Sequence, residues 1–248
     1  MKRVALITGA GRRRIGQHVA DALAERGYSI ALHYHSSRAD AEEAVRGYEA
    51  RGLEAAAYQA DIRDEGAVAR MFEQALARFG RLDVLVNTAA VWDARKLEET
   101  DAAVVRHNFD TNVLGSFLCA RAAGLAMVKQ PEGGAIVNVG DWAEARPYLD
   151  YSAYFISKGA IPALTRSLAV ELAARNPMVR VNCILPGPLM LPADLSEADK
   201  QNSIGTTLAQ REGSPQHLAK AVLFFIDNDY VTGVSLPVDG GKTIYPSR

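Results

Sequence analysis

The feature that most limits how this chain can fold is a rhythm. Short, unbroken apolar runs alternate with stretches whose apolar residues recur at helical spacing, beginning at Val4-Ala5-Leu6-Ile7. A run that is apolar at every position suits a strand buried on both faces, and a spacing of three and four suits a helix with one buried side. Further strands are predicted at Ile30–Leu32, Ala55–Gln59, Val84–Val86, Ala135–Val139, Val179–Ile184 and Val234–Pro237. Helices are predicted from Ile15 through Leu23, with Gly27 as the C-terminal cap, and over Asp40–Arg51. Others are predicted from Val68 to Phe79 before Gly80, and over Ala102–Val128, Tyr151–Arg175 and Pro215–Phe225. Such alternation builds an α/β fold: a single Rossmann-type, doubly wound parallel sheet with right-handed crossovers and helices on both faces. The 248 residues suit one domain, 1–248, with no linker, repeat or low-complexity tract. The stretch from Pro186 to Gln210, rich in proline and polar residues, breaks the rhythm and reads equally as a substrate lid or an ordinary surface loop.

Charge and cysteine usage narrow the partners. At 48% hydrophobic residues the chain has enough apolar material for a sizeable core, and a formal net charge of −1 gives no field to attract nucleic acid or an anionic membrane. The first apolar run stops at Thr8-Gly9, too soon for a secretory signal, and nothing approaches the roughly 20 apolar residues that span a bilayer. Cys119 and Cys183 form neither a disulfide framework nor a metal spacing, and His18, His33, His35, His107 and His217 fall in no familiar ligand pattern. The expectation is a soluble, cytoplasmic protein without a metal.

Thr8-Gly9-Ala10-Gly11-Arg12-Arg13-Arg14-Ile15-Gly16 lies between the first strand and the first helix. In that context glycines let the backbone approach a dinucleotide pyrophosphate, and the helix N-terminus offers unpaired N–H groups and a positive dipole end. The end of the second strand bears on which dinucleotide. An acidic residue there would accept hydrogen bonds from a ribose diol, but the chain has His33-Tyr34-His35-Ser36-Ser37-Arg38, with its first carboxylate at Asp40. Hydroxyls, imidazoles and arginines suit a 2′-phosphate, so NADPH/NADP+ is expected rather than NADH, unless the basic cluster is simply a solvated loop. Further along, Tyr154 and Lys158 stand at i and i+4 on one helix face. A phenol with an ordinary pKa near 10 is a poor proton donor at neutral pH, and a neighbouring ammonium would lower it.

With these residues in place, the chain resembles a short-chain dehydrogenase/reductase over essentially its whole length. The matching motifs, in order, are the Thr8–Gly16 turn, Asp61-Ile62, Asn87-Thr88-Ala89, Asn112-Val113-Leu114-Gly115, Tyr154/Lys158, Pro186-Gly187 and Val238-Asp239-Gly240-Gly241. The resemblance implies that Gly9 and Ile15 border the cofactor, Asp61-Ile62 meets the adenine, Asn87-Thr88-Ala89 lies beneath the cofactor, and Pro186-Gly187 lies against the nicotinamide. It also implies that Asn112 holds a water in a proton relay through Lys158, and that the protein is a homotetramer built on the long helices. Val113, Leu114, Phe117, Leu118, Phe155 and Ile156 are apolar positions beyond one core-facing stripe, as an interface or a deeply buried helix would have.

Two departures narrow the resemblance to the pteridine reductases and the bacterial dihydromonapterin reductases. Asp141 stands where most members have a serine, and Arg14 replaces the central glycine of the turn. By resemblance Asp141 and Tyr154 form the catalytic acid pair, and Arg14 reaches both pyrophosphate and substrate. Leu189 and Trp92 would line the substrate, Trp92 standing one residue beyond Val91, where that subgroup places a stacking aromatic. The implied substrate is a pterin or dihydrofolate-like molecule with a ring C=N. The alternatives are an NADPH ketoreductase for another carbonyl and a non-catalytic NADPH-binding regulator.

Overall fold

A computed structural model of the protein describes residues 2–191 and 195–245. Seven strands form one parallel sheet: β1 (Val4–Thr8), β2 (Ser29–Tyr34), β3 (Ala55–Gln59), β4 (Val84–Asn87), β5 (Gly134–Val139), β6 (Val179–Pro186) and β7 (Ser235–Val238). They lie in the order β3-β2-β1-β4-β5-β6-β7. The order reverses direction between β1 and β4, and a crevice opens there at the carboxyl ends of the strands. The register aligns those ends: Thr8 pairs with Asn87, Asn87 with Asn138, and Asn138 with Cys183.

The period-2 geometry of each strand divides the core between two layers. In β1, Val4 and Leu6 face a core that includes Val68, Met71, Phe72, Leu118, Met127 and Leu168. Ala5 and Ile7 face the other, with Val19, Leu23, Leu218, Val222 and Phe225. The first layer belongs to α3 (Glu65–Phe79), α5 (Gly115–Met127) and α6 (Ser152–Ala173), and the second to α1 (Ile15–Glu25), α2 (Arg38–Glu49) and α8 (Pro215–Asp227). Burying a side chain such as Phe225, fully enclosed on α8, contributes on the order of 2–3 kcal/mol.

The helix expected over Ala102–Val128 forms as α4 (Ala102–Asn108), a wider π turn (Phe109–Leu114) that carries Asn112, and α5. The prolyl and polar stretch after β6 contains a helix that the sequence reading lacks, α7 (Glu197–Gly205); residues 192–194 before it lie outside the described residues. On β6, the buried Arg180 meets no carboxylate within hydrogen-bonding distance among the described residues. Its guanidinium donates to the carbonyls of Phe225, Ile226, Asn228 and Val231, closing the C-terminal end of α8 onto the sheet. No helix among the described residues is long and apolar enough to cross a membrane.

Candidate active site

A polar ladder crosses the crevice beneath the site. Thr8 Oγ1 accepts from Thr88 N at 3.1 Å and Ala89 N at 3.2 Å, and the Thr88 hydroxyl donates back to the Thr8 carbonyl. Asn87 Nδ2 donates to Asn138 Oδ1 at 3.0 Å and Ser116 O at 3.2 Å, and Asn138 Nδ2 donates to Thr165 Oγ1 at 3.0 Å. Asn138 and Thr165 are fully buried, where leaving a polar group unpaired costs about 1–3 kcal/mol, so the ladder fixes the strand ends rigidly. Gly9 sits at φ +67°, and a Cβ there would stand 2.7 Å from Ala89 Cα, so only glycine lets the turn close on the Asn87-Thr88-Ala89 loop.

The second-strand residues divide sharply. His33 is 1% exposed: Nδ1 accepts from Gly9 N at 3.0 Å and Nε2 donates to Ala60 O at 3.1 Å, a pattern that sets the tautomer. Burial pushes the imidazole down to about 4, so it stays neutral near neutral pH. The expectation that His33 reaches a 2′-phosphate is therefore corrected: it props the glycine turn from inside and takes up the Gly9 N–H. Tyr34 is also interior, whereas His35, Ser36 and Arg38 are exposed and Ser37 is partly so. The Ile62 side chain packs in the core against Gly115. Asp61 is held down to about 2 by the Arg63 guanidinium, which grips it with contacts of 2.6–3.1 Å.

These surroundings suit the diphosphate of a dinucleotide. No side chain caps the N-terminus of α1, no acidic residue occupies its first turn, and its N-cap residue, Arg14, is exposed. An anion would meet unpaired N–H groups at the positive end of the helix dipole. The exposed His35, Ser36 and Arg38 at the carboxyl end of β2 suit the further phosphate of NADPH.

At the opposite end, β5 delivers Asp141 and the first turn of α6 delivers Tyr154. Tyr154 Oη donates to Asp141 Oδ2 at 2.7 Å, while Asp141 Oδ1 accepts from Ala143 N at 2.8 Å and caps the short 3₁₀ turn Trp142–Glu144. Asp141 thus caps a turn with one oxygen and receives the Tyr154 hydroxyl with the other. Burial pushes the Asp141 carboxyl above the usual carboxylate range, and burial followed by the Asp141 charge pushes the Tyr154 phenol up. The Lys158 ammonium donates to Val139 O at 2.8 Å and stands 5.9 Å from the Tyr154 ring centre. Burial pulls Lys158 down.

Asn112 uses its side chain on protein partners. Oδ1 accepts from Val91 N at 2.8 Å, and Nδ2 donates to Val91 O at 3.1 Å and Ser157 Oγ at 2.9 Å. The amide clips the loop after β4 to α6. Pro186 ends β6 and Gly187 N donates to Val238 O at 3.0 Å; a Cβ on Gly187 would stand 2.5 Å from Asp239 Cα. Leu189 is 5% exposed, packs against the α8 core and lines a cavity with Pro188, Gly213, His217 and Val238.

Trp92 is exposed and stacks on Tyr151, with ring centres 5.2 Å apart and planes 15° apart. Tyr148 meets Tyr151 and Phe155 edge-on, and it stacks with Trp142. Tyr148, Tyr151 and Trp142 are residues that the sequence reading passed over. Their clustering within residues 142–151, just after the Asp141 position, is the signal that could have marked them. No group of three or more His, Cys, Asp or Glu among the described residues has a metal-binding arrangement.

A family model described as enoyl-(acyl carrier protein) reductase matches residues 9–243. A short-chain type dehydrogenase/reductase of Picea abies is 33% identical over 253 residues, covering 97% of this chain and 92% of that protein. The crystal structure of acetoin dehydrogenase from Enterobacter cloacae superposes with a TM-score of 0.88 at 36% identity, over 99% of this chain and 97% of that one. A blue fluorescent protein from a metagenomic library, crystallised in complex with NADPH, superposes with a TM-score of 0.87 at 35% identity, over 97% of each chain.

Proposed function

The chain belongs to the short-chain dehydrogenase/reductase family, and on that premise we propose that it is an NADPH-dependent reductase of a small molecule's C=N or C=O bond, with a pterin or dihydrofolate-like ring as its substrate. The observation that carries the proposal is the 2.7 Å hydrogen bond from Tyr154 to a carboxylate whose other oxygen is already fixed. NADPH would supply the hydride, held by the α1 N-terminus, by His35, Ser36, Ser37 and Arg38, and by the Asn87, Asp61 and Pro186-Gly187 segments. Hydride arriving at carbon leaves the ring nitrogen or carbonyl oxygen in need of a proton. Tyr154 gives that proton from Oη, and Asp141 orients the phenol and hydrogen-bonds an amino-pyrimidinone edge. Lys158, anchored on Val139, holds positive charge behind the phenol, and Arg14 lies at the cofactor end of the cleft.

None of the relatives described above is named for a pterin, so that narrower reading rests on Asp141, Arg14 and the aromatic wall of Trp92, Tyr148 and Tyr151. The name of the acetoin dehydrogenase favours a second reading, a ketoreductase in which Asp141 takes the usual serine's place. Absorbance assays of NADPH oxidation with dihydropterin, dihydrofolate, acetoin and simple ketones separate the two, with NADH run in parallel. Turnover of a pterin with NADPH is expected; turnover of ketones alone would overturn the ring substrate but keep the reductase. Asp141→Ser adds a check by pH. The carboxylate raises Tyr154, so its removal should move the alkaline limb of kcat/KM to lower pH, and an unmoved limb would dissociate Asp141 from the proton transfer.

The same proposal includes a cytoplasmic setting, in which buried Cys119 and Cys183 stay reduced, and assembly as a homotetramer. A groove of about 350 Å³ on the outer face, lined by Phe109, Val113, Leu114, Phe117, Leu164 and Leu168, supports assembly. Light scattering giving a monomer mass would defeat it.

A further inference from the structure

α7 stands apart from the other long helices, because none of its residues is buried. A helix without an enclosed apolar face gains little from hydrophobic burial, which is the usual source of helix stability in a fold. Its attachment is polar and comes from the turn after β7. Lys242 is buried there, and its Nζ donates to Ser203 O at 3.1 Å and Thr206 Oγ1 at 2.8 Å, with Ser203 Oγ at 3.4 Å. Ser203 and Thr206 are the last turn and cap of α7, where unpaired carbonyls and the negative end of the helix dipole favour a cation.

The same ammonium lies 4.9 Å from the ring centre of Trp142, the residue after Asp141. The turn that carries Lys242 is itself fastened. Asp239 accepts from Gly241 N at 2.9 Å and Thr243 N at 2.7 Å, Gly240 O accepts from Ala209 N at 3.0 Å, and Arg146 Nη1 donates to Lys242 O at 2.9 Å. One side chain therefore joins three separate segments: the helix that follows the Pro186-Gly187 edge of the crevice, the turn that Asp141 caps, and the loop after β7.

We propose that Lys242 is a positioning residue that latches α7 as a lid over the crevice and registers it against the Trp142 turn, so that lid closure and the seating of substrate beside Asp141 depend on one ammonium. Its desolvation is offset by the fan of oxygen acceptors and the indole face. The substrate-seating part rests on the reductase reading above, while the latch itself does not.

The test uses the full chain with Lys242→Met, which keeps the length and apolar stem but loses the charge, and Lys242→Arg, which keeps the charge. Limited digestion with a protease that cuts after glutamate reads the lid at the exposed Glu197. Lys242→Met should be cut there about ten-fold faster and should show a KM about ten-fold higher for whichever substrate turns over, with kcat changed less than three-fold. Its NADPH affinity and melting temperature should match the parent, and Lys242→Arg should recover much of the protection. Unchanged cleavage at Glu197 would overturn the latch. A matched fall in melting temperature and NADPH affinity would also overturn it, by making Lys242 a general structural residue. Faster cleavage with an unchanged KM would sink the substrate-seating role, and absence of turnover in the parent would sink the reductase reading and leave the cleavage result to decide the latch.

Discussion

The floor and the roof of the crevice are built on opposite physical terms. The floor is the ladder Thr8, Asn87, Asn138 and Thr165, whose buried groups satisfy one another across neighbouring strands and α6. The proposed roof is α7, which buries none of its residues and hangs on an ammonium at one end. A buried polar ladder has one low-energy arrangement, because any slip leaves donors unpaired without water. A solvated helix tied at one end has opening free energies far below that of global unfolding. The difference is one of rigidity: the ladder fixes the strand ends from which β5 leads to Asp141, and the proposed lid is held loosely.

Four substitutions would break or sharpen the contrast. Tyr154→Phe removes the proton donor from the rigid floor and should lower kcat about a thousand-fold, or about 4 kcal/mol of barrier, with NADPH affinity preserved in fluorescence titration. Turnover that survives nearly intact would defeat the mechanism, and binding without any turnover in the parent would favour the regulator reading. Asn138→Ala should lower stability by about 2–4 kcal/mol and the melting temperature by about 5–12 °C, since it strands Asn87 and Thr165 together. A shift below about 2 °C in calorimetry would mean that the ladder is not the rigid element.

Glu144, beside Asp141, tests the border between the two regions. Burial and then the Asp141 charge push its carboxyl up to about 7, and its buried Oε2 has no hydrogen-bond partner among the described residues. Because the folded value lies above the ordinary one, the folded chain holds the extra proton between about pH 4.5 and 7, and stability falls as pH rises through that window. Glu144→Gln should therefore be more stable than the parent by about 1 kcal/mol at pH 8, a value discounted for solvent screening, and the gap should close toward pH 4.5. A gap that is independent of pH would reject this sign. The smallest effect belongs to the roof. Ser196→Ala removes the N-cap of α7, where Oγ accepts from Asp199 N at 3.1 Å. It should leave the melting temperature within about 1 °C, because the helix holds up no core, yet speed amide exchange across Glu197–Gly205 several-fold. A large drop in melting temperature would erase the contrast.

The same contrast explains what could be read from the sequence. The seven strands, the glycine turn and the Tyr154/Asp141 register were legible because continuous apolar runs and fixed local spacings carry them. His33 was misjudged because the residues at the end of β2 carry no period-2 signal that separates inside from outside: His33 is enclosed and His35 is exposed, although both are polar and two apart. α7 was missed because Glu197-Ala198-Asp199-Lys200-Gln201-Asn202-Ser203 has no apolar stripe to detect. Lys242 was invisible because its partners lie 36 and 39 residues away, joined by no local pattern.

Arg180 gives the fold a direction in time. Its carbonyl partners lie between 45 and 51 residues downstream, so a growing chain makes β6 well before anything that can satisfy the guanidinium. Until α8 and the segment after it emerge from the ribosome, that strand carries a charge that belongs in water, and the second half of the sheet stays open. Closure of α8 onto β6 therefore waits on that later segment, and a chain lacking it exposes the strand's charge and edge.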